Sequence, residues 1–202
     1  MTAPTIPGVA GPGVVAASRR RNERLPLLVV GIVIFLGSEL MFFAALFGMY
    51  FTLRARAPAW PPPGTDLPLL LPTISTTILL SSSFTMQMAL VRVKQGNGPA
   101  MKRWIWISFV MGWLFLAGQF HDYLGANFQI GTNVYGSAFY TMTGFHALHV
   151  FAGLLAMLVA LGRAAAGAYS KEDHASLEAV AYYWHFVDVV WIFLFLTIFV
   201  LR

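Results

Sequence analysis

The sequence predicts an all-α integral membrane protein, a bundle of five transmembrane helices. Three observations carry that reading. Hydrophobic residues make up 58% of the 202-residue chain and charged residues only 10%, far below the roughly 25% charged content of a soluble domain. The apolar residues collect into five runs of about 20 residues or more, each long enough for one crossing. Within each run the hydrophobicity is continuous, not alternating, which favours helices over the strands of a barrel. Cysteine is absent, so disulfides and thiolate metal sites are excluded. The net charge of +5 is a matter of Lys and Arg placement in such a protein, and gives no reason to expect a nucleic-acid partner.

Residues 1–24 are small and rich in Pro and Gly, and end in Arg19-Arg20-Arg21-Asn22-Glu23-Arg24. They are expected to form a flexible cytoplasmic tail closed by a cationic stop at the membrane face. The apolar run that follows is far longer than the hydrophobic core of a signal peptide, and no cleavage site follows it. The transmembrane domain then occupies 25–202. Its spans are expected at about Leu25–Leu53, Leu67–Val93, Trp104–Leu124, Tyr135–Leu161 and Glu178–Leu201. The connections are short, and none can hold a soluble domain. Trp60-Pro61-Pro62-Pro63-Gly64 reads as a rigid turn, and Lys94–Lys102 as a Gly/Asn/Pro turn.

With the N-terminus inside, the inner side holds Arg19, Arg20, Arg21, Arg24, Arg92, Lys94, Lys102, Arg103, Arg163 and Lys171, and the outer side Arg54, Arg56 and Arg202. Ten against three is a positive-inside pattern and sets the C-terminus outside. Aromatics mark the boundaries: Trp60 and Tyr135 outside; Trp104, Trp106, Tyr182 and Trp184 inside. Small residues recur four apart in Ala152-Ala156-Ala160, Thr77-Ser81-Thr85 and Ala44-Gly48, a spacing that lets helices approach closely. Pro72 is expected in the first turn of the second helix, or at a kink.

Polar residues inside the spans are costly and need a reason. Glu39 lies near the middle of the first span with no basic residue within a turn, so a neutral carboxyl bonded to a neighbouring helix is expected, with a proton-linked role as the alternative. His146 and His149 stand three apart in the fourth span. That spacing is compatible with a metal, but no Glu-x-x-His pair accompanies it, and interhelical hydrogen bonding is the preferred reading. In the fifth span Glu178, Tyr182, His185 and Asp188 follow one another at steps of three and four and share one face. Val190, Phe193, Leu194 and Ile198 occupy the other side. Arg24, Arg54, Arg56 and Arg103 are candidate contacts for lipid headgroups. No catalytic, cofactor-binding or metal residue is assigned.

Several motifs occur in one order along the chain: Ser38-Glu39-Leu40-Met41-Phe42-Phe43, Trp60-Pro61-Pro62-Pro63, Ser82-Ser83-Phe84-Thr85, Gly118-Gln119, Gly144-Phe145-His146-Ala147-Leu148-His149-Val150 and Tyr183-Trp184-His185-Phe186-Val187-Asp188-Val189-Val190-Trp191. Together they resemble the subunit III family of the haem-copper oxidases, most closely that of cytochrome c oxidase, in a short five-helix form lacking the first two of the family's seven helices. The resemblance implies an accessory subunit of a proton-pumping terminal oxidase in a bacterial plasma membrane. Such a subunit has no redox centre of its own, since haem and copper belong to partner subunits. It packs on subunit I, binds phospholipid, and supports proton uptake and active-site stability; its expected partners are oxidase subunits I and II, membrane phospholipids and a larger respiratory supercomplex. By position Glu39 matches the family's membrane-embedded glutamate, and His146, His149, Glu178, His185 and Asp188 match its other polar motif positions. The same subunit type in a quinol oxidase or nitric oxide reductase complex is the alternative. A stand-alone transporter or metalloenzyme lacks support from an inverted repeat or a richer ligand set.

Overall fold

The computed structural model describes residues 27–65 and 68–201. The tail at 1–24, with Arg24, lies outside the described residues, as does Arg202. Five helices follow in order: α1 (Leu27–Arg56), α2 (Leu70–Lys94), α3 (Gly98–Gly125), α4 (Val134–Ala165) and α5 (Ala175–Phe195), the last continued by a π-helical turn over Leu196–Val200. All five are long and apolar enough to cross a membrane. Among the described residues there is no strand.

The helices overrun the apolar segments of the sequence because hydrophobicity marks the part in hydrocarbon, while the backbone stays helical into the headgroup region. Thus α3 starts six residues before Trp104. Asn97 caps it, accepting from the Ala100 amide at 3.1 Å, with Pro99 in the first turn. Asn133 caps α4 through the Gly136 amide at 2.7 Å. Pro72 sits in the first turn of α2, where a missing N–H costs nothing. The ends of α2 and α4 share one stop. Gly96 and Gly167, at φ +78° and +71°, turn left-handed, and the next amides reach back to Arg92 O at 2.9 Å and Arg163 O at 3.0 Å.

Helices α2, α3, α4 and α5 form a closed ring of neighbours, and α1 packs outside it against α5 and α4. In the most apolar stretch of α1 only 11% of residues are buried, against 50% in α5. The ring closes on Trp184, which is fully buried. A Cβ on Gly112 of α3 would stand 2.8 Å from its ring, and one on Gly153 of α4 2.7 Å. These two glycines therefore make the slot that admits the indole. Trp184 is accordingly a core residue, not the interfacial marker its aromatic character suggests.

The Thr77-Ser81-Thr85 set divides: Thr85 meets Ser108 Oγ of α3 at 2.7 Å, as a packing seam should. Thr77 and Ser81 are exposed, and each hydroxyl donates to the carbonyl four residues back, at 2.9 and 2.7 Å. The packed face of α2 lies a step away, on Ser75, Thr76, Leu79, Ser82 and Met86. Spacing alone identifies a stripe but not the side it faces. At the Trp60 end a clasp joins three helix ends. Trp60 Nε1–H donates to the Tyr50 hydroxyl at 2.9 Å, which donates to Thr197 O at 3.1 Å, and the Trp60 ring lies edge-on to Tyr135 at 5.1 Å. The π-turn makes this possible: Leu201 N–H bonds Leu196 O, leaving the Thr197 carbonyl to Tyr50.

Candidate functional site: two polar nodes inside the membrane

The first node joins α1, α4 and α5. His149 Nδ1 lies 2.7 Å from Phe145 O one turn earlier. A carbonyl can only accept, so Nδ1 carries hydrogen. His149 Nε2 then faces Glu39 Oε2 at 2.9 Å. With Nδ1 protonated, that contact needs one proton between imidazole and carboxyl, and the pair is neutral overall whichever atom holds it. Phe43 meets the His149 ring edge-on at 4.9 Å, and Phe42 stacks on it at 6.2 Å. The Glu-Leu-Met-Phe-Phe run of α1 therefore supplies both the carboxyl and the aromatic walls for one imidazole. The Tyr183 hydroxyl donates to His149 O at 3.1 Å, tying α5 to the same residue.

The second node lies between α2 and α5. Ser83 donates to Asp188 Oδ2 and stands 2.9 Å from His185 Nδ1. Its hydroxyl has one hydrogen, so His185 Nδ1–H donates to Ser83 and Ser83 to Asp188. His185 Nε2 is 3.4 Å from Gln87 Oε1. Two indoles of α5 extend the seam: Trp184 Nε1–H donates to Ser82 Oγ at 2.8 Å, and Trp191 Nε1–H to Thr76 Oγ1 at 2.9 Å. The Trp-His-Phe-Val-Asp-Val-Val-Trp run thus reads along α2, with both indoles, His185 Nδ1 and Asp188 Oδ2 meeting hydroxyls while Asp188 Oδ1 is buried without a partner. Lys94 and Glu178, paired at 2.8 Å, mark the antiparallel register.

His146 stands between the nodes and joins neither. It is fully buried, stacked on Trp191 at 4.8 Å and edge-on to Phe115 at 5.9 Å, and neither ring nitrogen has a partner. The expected interhelical hydrogen bond is made by His149 and not by His146. On a helix, residues three apart diverge by about 60°, enough to send one ring inward and the other to α1. Among the described residues no three of His, Asp and Glu group together to hold a metal.

Residues 24–201 match the sequence family described as cytochrome c oxidase subunit III. The chain belongs to that family. It is 41% identical over 194 residues to cytochrome c oxidase subunit 3 of Thermostichus vulcanus, with 96% of each chain covered. It is 43% identical over 199 residues to the probable cytochrome c oxidase subunit 3 of Nocardia farcinica, covering 96% of this chain and 98% of that one. The Synechocystis cytochrome c oxidase subunit 3 is 44% identical over 177 residues, which are 87% of this chain and 76% of that protein.

Placed on this subunit III fold, the predicted residues separate. Glu39 and His149 meet. His185 and Asp188 meet through Ser83. Glu178 belongs to neither node: it pairs with Lys94 at the helix end and lies 3.4 Å from His174. Tyr182 is exposed while Asp188, at 3% exposure, turns inward to α2, so the polar side of α5 divides between two directions. On the opposite side Val190, Leu194 and Ile198 are buried and only Phe193 is exposed. Arg54 and Arg56 lie in the last turn of α1, and Arg103 is exposed near the start of α3. Gln87 and Thr76 carry no signal of their own in the sequence. The antiparallel register from Lys94 and Glu178 puts Gln87 and His185 each seven residues inward, a signal available once the ion pair is known.

Proposed function

We propose that this chain serves as an accessory subunit III of a proton-pumping cytochrome c oxidase in a bacterial plasma membrane, with its N-terminus inside and C-terminus outside. It packs on subunit I of a complex that also contains subunit II, and carries no redox centre. The observation that carries this reading is the use to which its membrane imidazoles are put. His149 is held by Glu39 and Phe145 O, His185 by Ser83 and Gln87, and His146 by aromatic rings. Each is engaged in packing or hydrogen bonding. Family membership and the names of the relatives support the same reading.

Support for proton uptake rests on the Glu39–His149 pair, a single-proton contact near the middle of α1. Phospholipid binding is supported at the Trp60 end, where Arg56 lines a cavity of about 410 Å³ with Leu53, Trp60, Pro62 and Tyr135. A cation beside aromatic and proline surface suits a phosphate headgroup and the start of its chains. The test is purification through a tag on this chain from its native membrane. Subunits bearing haem and copper, with oxygen-reducing activity, should accompany it, while the separated chain should show no visible haem band. A haem spectrum from the separated chain, or recovery of the chain without oxidase subunits, would refute the assignment.

A further inference from the structure

A charged boundary at one end of the bundle gives depth to the second node. Lys94 and Glu178 mark that boundary. Gln87 on α2 and His185 on α5 each lie seven residues inward, about 10 Å deeper. Gln87 is nevertheless exposed, and His185 half-buried. One end of the Gln87 carboxamide meets His185 Nε2, and because that nitrogen accepts, the amide N–H donates to it, so the carboxamide oxygen has no partner within the described residues. An exposed carboxamide at that depth meets hydrocarbon, which offers no hydrogen bond.

The surface beside it has the shape of a helix seat. On α5, Tyr182, His185, Val189, Phe193, Leu196 and Val200 recur at steps of three and four; all but the half-buried His185 are exposed. Such a stripe presents one continuous seam to a neighbour. On one flank stands Gln87. On the other lies an open groove of about 740 Å³ between α5 and α1, which His185 itself lines together with Phe43, Phe47, Phe186, Val189 and Phe193. An acyl chain would fill the groove but leave the carboxamide unpaired. A helix with a hydrogen-bond donor at that depth serves both.

The geometry points to this face, the outer stripe of α5 with Gln87 of α2, as the seat of one transmembrane helix of a different polypeptide carrying a polar residue opposite Gln87. The inference deepens the reading of the chain as one subunit of a complex and rests on it. It is tested in the intact complex by replacing Gln87, Phe193 or Leu114, one at a time, with photo-activatable benzoylphenylalanine. Leu114 is exposed on α3, across the ring from α5. Illumination should join this chain to one and the same other subunit from positions 87 and 193, and not from 114. Lipid adducts alone at 87 and 193, adducts between two copies of this chain, different partners at the two positions, or the same adduct at 114 would overturn it. Gln87→Leu gives a second readout: retention of the subunit through a detergent wash should fall about three- to tenfold, from one lost intramembrane hydrogen bond. Unchanged or improved retention would mean that the carboxamide faces lipid. Recovery of the chain without other polypeptides would instead refute the subunit reading, which separates the two failures.

Discussion

The two nodes solve the same problem in unlike ways. Glu39 of the outlying α1 and His149 of α4 form a single pair, 22% and 13% exposed, walled by aromatic rings. Ser83, His185 and Asp188 belong to a seam in which α2 hydroxyls meet two indoles, an imidazole and a carboxyl from α5. The difference shows what polar contacts do in a membrane bundle. Where hydrophobic association is weak, close packing and interhelical bonds hold helices together. Inside the ring these act cooperatively with Trp184 in its glycine slot. Outside it, one neutral pair and the Tyr50 bond to Thr197 O set where α1 sits while apolar contacts hold it there.

Variants should rank accordingly. Filling the slot is the most damaging: Gly153→Leu meets Trp184 on the ring's inner side and should destabilise by about 3 kcal/mol. Loss of the chain from membranes by immunoblot checks this. Next comes the seam. Ser83→Ala leaves both His185 Nδ1 and Asp188 Oδ2 without partners, at a cost of about 1–3 kcal/mol, visible as a lower thermal midpoint of the detergent-solubilised complex. Combining it with Asp188→Leu should cost less than the two single changes added together, since the stranded acceptor is gone. Glu39→Ala removes one bond of a neutral pair and should cost about 1 kcal/mol, leaving assembly largely intact; loss of the subunit from the purified complex would show instead that α1 depends on that pair. Smallest is Lys94→Ala. That lysine is half exposed, and a pair of this kind is worth about 0–1 kcal/mol, so no shift in thermal midpoint beyond a few degrees is expected.

Much of the fold is legible in the sequence because hydrocarbon imposes a simple constraint, long apolar runs closed by caps and charges. The five spans follow from that alone. Facing does not. Thr77 and Ser81 satisfy themselves within their own turn and look outward, whereas Ser82 and Ser83, one and two residues on, take the α5 partners. Sequence spacing is identical for a stripe facing lipid and one facing protein. The polar residues were visible as a set because each is anomalous in its span. Their pairing needed the antiparallel register, and the isolation of His146 needed the rings of Trp191 and Phe115, which nothing in its neighbourhood along the chain announces.

The outboard position of α1 bears on how the molecule is made. Its main neighbours are α5 and α4, the last two helices to leave the ribosome. The span inserted first is therefore the last to be seated, and must wait in the bilayer with its carboxyl uncovered until His149 is delivered. During that interval the nascent polypeptide is open along the flank that α5 will later close, and whatever shields Glu39 then acts as a temporary stand-in for an imidazole not yet synthesised.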